Sequence, residues 1–214
     1  MFASLDHTTW MRRAIVEADL ARGKTGDNPW VGCVVVDETG VLLGQGHTQG
    51  PGEDHAEMAA FRQADQRGLS LEGATLYSTL EPCSFHGRTP ACSRVIVDRK
   101  IRRVITGMRD PNPRVDGVGV RILTGAGLEV IEGVCEEEVR RQLGRWVFKY
   151  HPHEPVRRAR ELAALYTPSA LVASLASTYA VDLEEVEQLL SSAVPPLPHA
   201  EPDGAATENA ERGI

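Results

Sequence analysis

The chain has 214 residues, 42% of them hydrophobic, enough for one substantial core and too few for two large domains. Its formal net charge of −7 is uneven, because residues 151–214 carry four Arg against ten Asp or Glu and leave the first 150 residues nearly neutral. No basic stripe of the kind that displaces counterions from phosphates is present, which argues against a nucleic-acid partner.

The opening residues MFASLDHTTW lack a basic stretch followed by an apolar one, and no run approaches the roughly 18 apolar residues of a membrane span. A cytoplasmic protein that engages no membrane is the expectation. Four cysteines in such a context leave metal binding, catalysis or burial rather than a disulfide framework.

In chain order, Met11, Ala14, Ile15 and Ala18 recur at helical spacing and predict a helix from Thr8 to about Lys24, stopped by Gly23 and Gly26. The valine-rich run from Trp30 to Val36 and the shorter Val41 to Leu43 read as strands joined by a turn at Asp37-Glu38-Thr39-Gly40. An alanine-rich helix follows from His55 to about Arg67, closed by Gly68, and then a strand from Ala74 to Leu80. Further elements are a helix at about Ala91 to Val97, a strand at Arg103 to Met108, a helix at Val118 to Thr124, a strand at Leu128 to Glu132 and a helix at Glu136 to Lys149. This alternation predicts a three-layer α/β/α sandwich, with a mixed sheet because its first two strands form a hairpin.

Composition changes after His151. Two amphipathic stretches, about Val156 to Ser174 and Asp182 to Leu190, predict a helical extension over 151–192, with Pro168 splitting the first. Their acidity favours packing or subunit contact, including self-association, over DNA binding. Residues 193–214, rich in proline, alanine and acids, hold too little apolar side chain to offset the entropy of ordering, so a disordered tail is expected there. Residues 1–150 are then the main domain.

The informative residues are His55-Ala56-Glu57, then Pro82-Cys83, then Cys92. This order is the signature of zinc deaminases, so the match is a recognition rather than a deduction. Its chemistry is coherent: one imidazole and two thiolates suit a single Zn2+, neutralise it, and leave a fourth position for water, as in catalytic rather than structural sites. Water held there loses a proton near neutral pH. Glu57, two residues from the histidine, is placed to act as general base and then general acid. Cys33, inside the valine-rich strand, and Cys135, before the last helix, read as packing residues.

The segment from Thr79 to Cys92, TLEPCSFHGRTPAC, together with Asn28-Pro29-Trp30-Val31-Gly32 and Asp110-Pro111-Asn112-Pro113, resembles the deaminase domain of the riboflavin-biosynthesis deaminase/reductase family over roughly residues 7–150. The eight residues between Cys83 and Cys92 support it, since cytidine and tRNA deaminases usually have two there. The resemblance implies a cytidine-deaminase-like fold, one catalytic zinc, and hydrolysis of the 2-amino group of a diaminopyrimidine carrying a ribosylamino 5′-phosphate. It further implies that Asn28 contacts the ring, that His47, Arg88, Asp110 and Asn112 contact ribose or phosphate, and that His86 also binds substrate.

The chain departs from that family at Phe85, where a histidine is common, at Ala91, where a proline is common, and at Asp27, where a proline usually precedes the asparagine. The family also continues into a nicotinamide-dependent reductase domain, whereas here an acidic segment follows and no glycine-rich dinucleotide motif occurs. Ribose reduction is therefore not expected. A tailoring deaminase or amidine hydrolase for another pyrimidine-like heterocycle is the alternative reading, and a non-catalytic binding or scaffolding protein is a second.

Overall fold

The computed structural model describes residues 5–85 and 91–193. His86 and Arg88, and nearly all of the expected tail, lie outside the described residues. Within them the elements run α1 (His7–Asp19), β1 (Gly32–Val36), β2 (Leu42–His47), α2 (Ala56–Gln66), β3 (Thr75–Leu80), α3 (Cys92–Asp98), β4 (Arg103–Met108), α4 (Val118–Gly125), β5 (Glu129–Ile131) and α5 (Glu136–Tyr150). Three further helices follow: α6 (His153–Leu162), α7 (Pro168–Tyr179) and α8 (Leu183–Ala193).

The sheet order is β2-β1-β3-β4-β5. β1 pairs antiparallel with both β2 and β3, whereas β3–β4 and β4–β5 are parallel, giving the expected mixed sheet. β1, Gly-Cys-Val-Val-Val, is buried on both faces because helices cover both sides. Met11 and Ala14 of α1 pack with Val34, Val36, Tyr77 and Ile105 on one face. Ala60, Phe61 and Ala64 of α2 pack with Val35, Leu76 and Val104 on the other. The expected helix to Lys24 is shorter, ending at Asp19 and followed by turns.

Two glycines on β2 set the distance of α2 from the sheet. A Cβ on Gly44 would lie 2.3 Å from the Ala60 carbonyl oxygen, and one on Gly46 would lie 2.6 Å from Ala59 Cβ. Glycine at both positions lets the helix seat directly on the strand, which fixes where its first turn, His55-Ala56-Glu57, stands.

Past residue 151 there are three helices, because the first of the two expected stretches is split as anticipated at Pro168. Pro168 begins α7, with the Thr167 hydroxyl accepting from the Ala170 amide as N-cap. Leu175, Ala176, Tyr179 and Val186 join Leu143 and Val147 of α5 in the same buried cluster as the sheet residues. A Cβ on Gly144 would stand 2.6 Å from the Thr178 carbonyl oxygen, so α7 crosses α5 at backbone distance. Among the described residues no helix is long and apolar enough to cross a membrane.

Candidate active site

Strand direction gathers the chemistry at one end of the sheet. The C-terminal ends of parallel β3 and β4 lead into the loops of Cys83 and of Asp110–Asn112, the usual position for ligands in parallel α/β sheets. β1 runs antiparallel to β3, so its entry segment with Asn28 arrives at the same end, as does the chain between β2 and α2.

His55 is the N-cap of α2, Cys92 is the first residue of α3, and Cys83 lies three residues beyond β3. His55 Nδ1 is 3.6 Å from Cys83 Sγ and 3.3 Å from Cys92 Sγ, and a ligand atom of each residue lies within 4.8 Å of the others. The Cys92 amide donates to Cys83 Sγ at 3.3 Å. A hydrogen bond from the Cys92 thiol, working against burial, pushes the Cys83 thiol down to about 4, with His55 assisting. The same contact, with burial, raises Cys92. His55 is raised to about 9, chiefly by its hydrogen bond with Cys83, against the opposing effect of burial. Such a cluster, an imidazole beside two thiols of which Cys83 is the one biased towards thiolate, fits a zinc ion in donor type and spacing.

Glu57 stands in the first turn of α2 and is 3% exposed. Burial, then the Cys83 thiolate, raises its carboxyl above the usual range. It opens onto a cavity of about 650 Å³, which His55, Cys83, Asn28, Asp110, Asn112, Phe85 and Asp27 also line. Three of the residues expected to touch substrate thus share one space with His55, Cys83 and Glu57.

His47 is placed differently. Its Nδ1 meets Glu17 Oε1 at 2.8 Å, and it lines a separate depression with Gln45, Gln49 and Arg62 at the edge strand β2. The direction a side chain takes from an edge strand is not readable from its position in sequence. Cys33 is fully buried in β1, and neither it nor Cys135 belongs to the metal-ligating cluster found among the described residues.

The structure adds wall residues that motif reading did not select: Trp146, Tyr150 and His151 at the end of α5. The aromatic end of that helix, Trp-Val-Phe-Lys-Tyr-His, was the available signal. Glu81 is a further addition. Buried at 3% exposure, it accepts from the amides of Gly117 at 2.9 Å and Val120 at 3.2 Å, and so ties the chain just before Cys83 to the start of α4.

Residues 4–108 match the cytidine and deoxycytidylate deaminase zinc-binding region. The riboflavin biosynthesis protein RibD of Aquifex aeolicus is 46% identical over 145 residues, which are 68% of this chain and 39% of that protein. RibD of Escherichia coli strain K12 is 44% identical over 140 residues, 65% of this chain and 37% of that one. Residues 4–108 of the chain belong to the cytidine and deoxycytidylate deaminase zinc-binding family.

Within this deaminase family the matched region is of the riboflavin-biosynthesis type. The crystal structure of a diaminohydroxyphosphoribosylaminopyrimidine deaminase/5-amino-6-(5-phosphoribosylamino)uracil reductase from Thermotoga maritima is 43% identical, covers 66% of this chain and 40% of that one, and superposes with a TM-score of 0.63. The chain therefore spans less than half the length of these relatives. His55, Cys83 and Cys92 form the zinc site of the family's zinc-binding region.

Proposed function

We propose that the chain hydrolyses the 2-amino group of a diaminopyrimidine bearing a ribosylamino 5′-phosphate. The observation that carries this reading is the buried Glu57 carboxyl beside the His55–Cys83–Cys92 triad, at a cavity also lined by Asn28, Asp110 and Asn112. When bound, zinc supplies the Lewis acidity that makes water a nucleophile at neutral pH. Asn28 orients the ring, and Asp110 and Asn112 hold the sugar side. The Glu57 carboxylate accepts a proton from the attacking water as the new carbon–oxygen bond forms. It then gives that proton to the departing nitrogen, the carbon–nitrogen bond breaks, and ammonia leaves as the new hydroxyl passes its proton to the adjacent ring nitrogen and becomes a ring carbonyl. Arg88, placed by resemblance at the phosphate, lies outside the described residues. The reading includes a cytoplasmic location, a small-molecule substrate rather than nucleic acid, and a deaminase unit over 1–150 extended by helices over 151–192.

Ammonia release from this substrate by zinc-loaded protein, with Glu57→Gln alongside, tests the reading. Release that the substitution abolishes supports it; a folded, zinc-containing wild type that releases none sinks the substrate assignment.

One observation favours a second reading, an unphosphorylated heterocycle. The described residues lining the cavity include Asp27, Glu53 and Asp110 and no Lys or Arg, a poor setting for a phosphate. Turnover of the free base in preference to its phosphoribosyl form would select this reading.

A further inference from the structure

We propose that the turn from α5 into α6, residues 146–153, is a two-point latch that pre-sets the substrate cavity by holding the Asn28 loop and the Asp110–Asn112 loop. Trp146, Tyr150 and His153 act in it as positioning residues. The substrate named in the test rests on the function proposed above; the latch itself rests on geometry.

On one side of the cavity, the Tyr150 hydroxyl donates to Asp27 Oδ1 at 2.6 Å and Trp146 Nε1 donates to the Asp27 carbonyl at 2.8 Å. Trp30 Nε1 donates back to the Gln142 carbonyl at 3.2 Å, so the loop is held to α5 at both of its ends. Asn28, next to Asp27, is the residue expected to meet the ring. On the other side, His153 Nε2 lies 2.8 Å from the Pro111 carbonyl oxygen. A carbonyl only accepts, so this nitrogen carries the proton. Pro111 sits between Asp110 and Asn112, both in the cavity wall.

Between the two anchor points lies a stiff aromatic strip. The Trp146 ring is 4.7 Å from that of His151 and 6.2 Å from that of Tyr150, and all three residues face the cavity. The strip is itself fixed, because Glu154, adjacent to His153, is buried in an ion pair with Arg140 of α5. Holding both loops before substrate arrives lowers the ordering cost of binding, which appears in KM, while the proton transfers of Glu57 are left in place. The Tyr150 hydroxyl also occupies an oxygen of Asp27, whose charge stands beside the expected ring contact.

The test uses the full zinc-loaded chain with Tyr150→Phe and His153→Ala. Amide hydrogen exchange should quicken roughly tenfold, the worth of a hydrogen bond, over 25–31 in the first variant and over 109–117 in the second, with strand 75–80 unchanged. KM for the phosphoribosyl diaminopyrimidine should rise about tenfold in each, with kcat within about twofold of wild type. Unchanged exchange and KM in both variants would overturn the latch, as would KM, kcat and melting temperature worsening together. A wild type without turnover would count against the proposed substrate alone, and the exchange measurements would still decide the latch.

Discussion

Arg140 of α5 and Glu154 of α6 form a buried ion pair, their side chains only 3% and 5% exposed. The Tyr179 hydroxyl of α7 donates to the other Glu154 oxygen, and Arg140 reaches Glu136 at 2.5 Å. Three helices thus meet at one carboxylate, with charge and hydrogen bonds nearly matched.

Removing one partner of such a pair leaves an uncompensated buried charge. Glu154→Ala should therefore cost about 3 kcal/mol in chemical denaturation, at the lower end for buried pairs because Glu136 still faces Arg140. Arg12→Ala, which breaks a pair with side chains 60% and 34% exposed, should leave the unfolding midpoint almost unchanged. Equal losses in the two variants would contradict the burial argument.

Zinc content separates the ligands from Glu57, the proposed proton carrier. Wild-type protein should hold one zinc per chain by atomic absorption, and His55→Ala, Cys83→Ser and Cys92→Ser should each lose it. Glu57→Gln should keep the metal and lower kcat by about 10²- to 10⁴-fold. Loss of zinc in the Glu57 variant would make that residue part of the metal site instead.

Asp110 carries a pH signature. Burial, opposed by a hydrogen bond from the Asn112 amide, pushes its carboxyl up to about 6, well above the usual aspartate range. The folded chain therefore holds this proton more tightly than the unfolded chain. Stability from this group is complete below about pH 4, falls as the pH rises towards about 6, and is level beyond that. The whole change amounts to about 2–3 kcal/mol. Comparing urea midpoints of wild type and Asp110→Asn from pH 4 to 7, with metal removed by chelator, should show wild type losing ground to the variant as pH rises. A constant gap would refute the shift.

Gly119 couples α4 to the metal loop. A Cβ there would stand 2.1 Å from the Pro82 carbonyl oxygen, next to Cys83, and 3.1 Å from Glu81 Oε1. Gly119→Ala must push the Pro82–Cys83 backbone away, so zinc affinity should fall about tenfold or more and stability by about 2 kcal/mol. Competition with a chromogenic chelator measures the first; unaltered affinity would mean that the loop moves without disturbing Cys83.

The layered architecture and the metal ligands were legible because each rests on local chain properties. A continuous β-branched run such as that ending at Val36 marks a strand buried on both faces, a 3.6-residue period marks a helix, and His55 and Glu57 are bound by covalent spacing to the same helical turn. The break at Pro168 was legible as well, whereas its place as the first residue of α7 depended on Thr167 preceding it in extended conformation as a cap. His47 eluded sequence reading for another reason: whether it faced the cavity or Glu17 depended on α1 packing beside the edge strand.

By itself, then, the sequence determined the metal-ligand signature and the order of the elements, both properties of short stretches of chain. Only the tertiary structure decided what surrounds them. Trp146 and Tyr150 reach Asp27 across 119 and 123 residues, and His153 reaches Pro111 across 42. Such contacts leave no periodic trace in the chain, because they follow from where α5 crosses the sheet and how the buried Arg140–Glu154 pair turns the chain into α6.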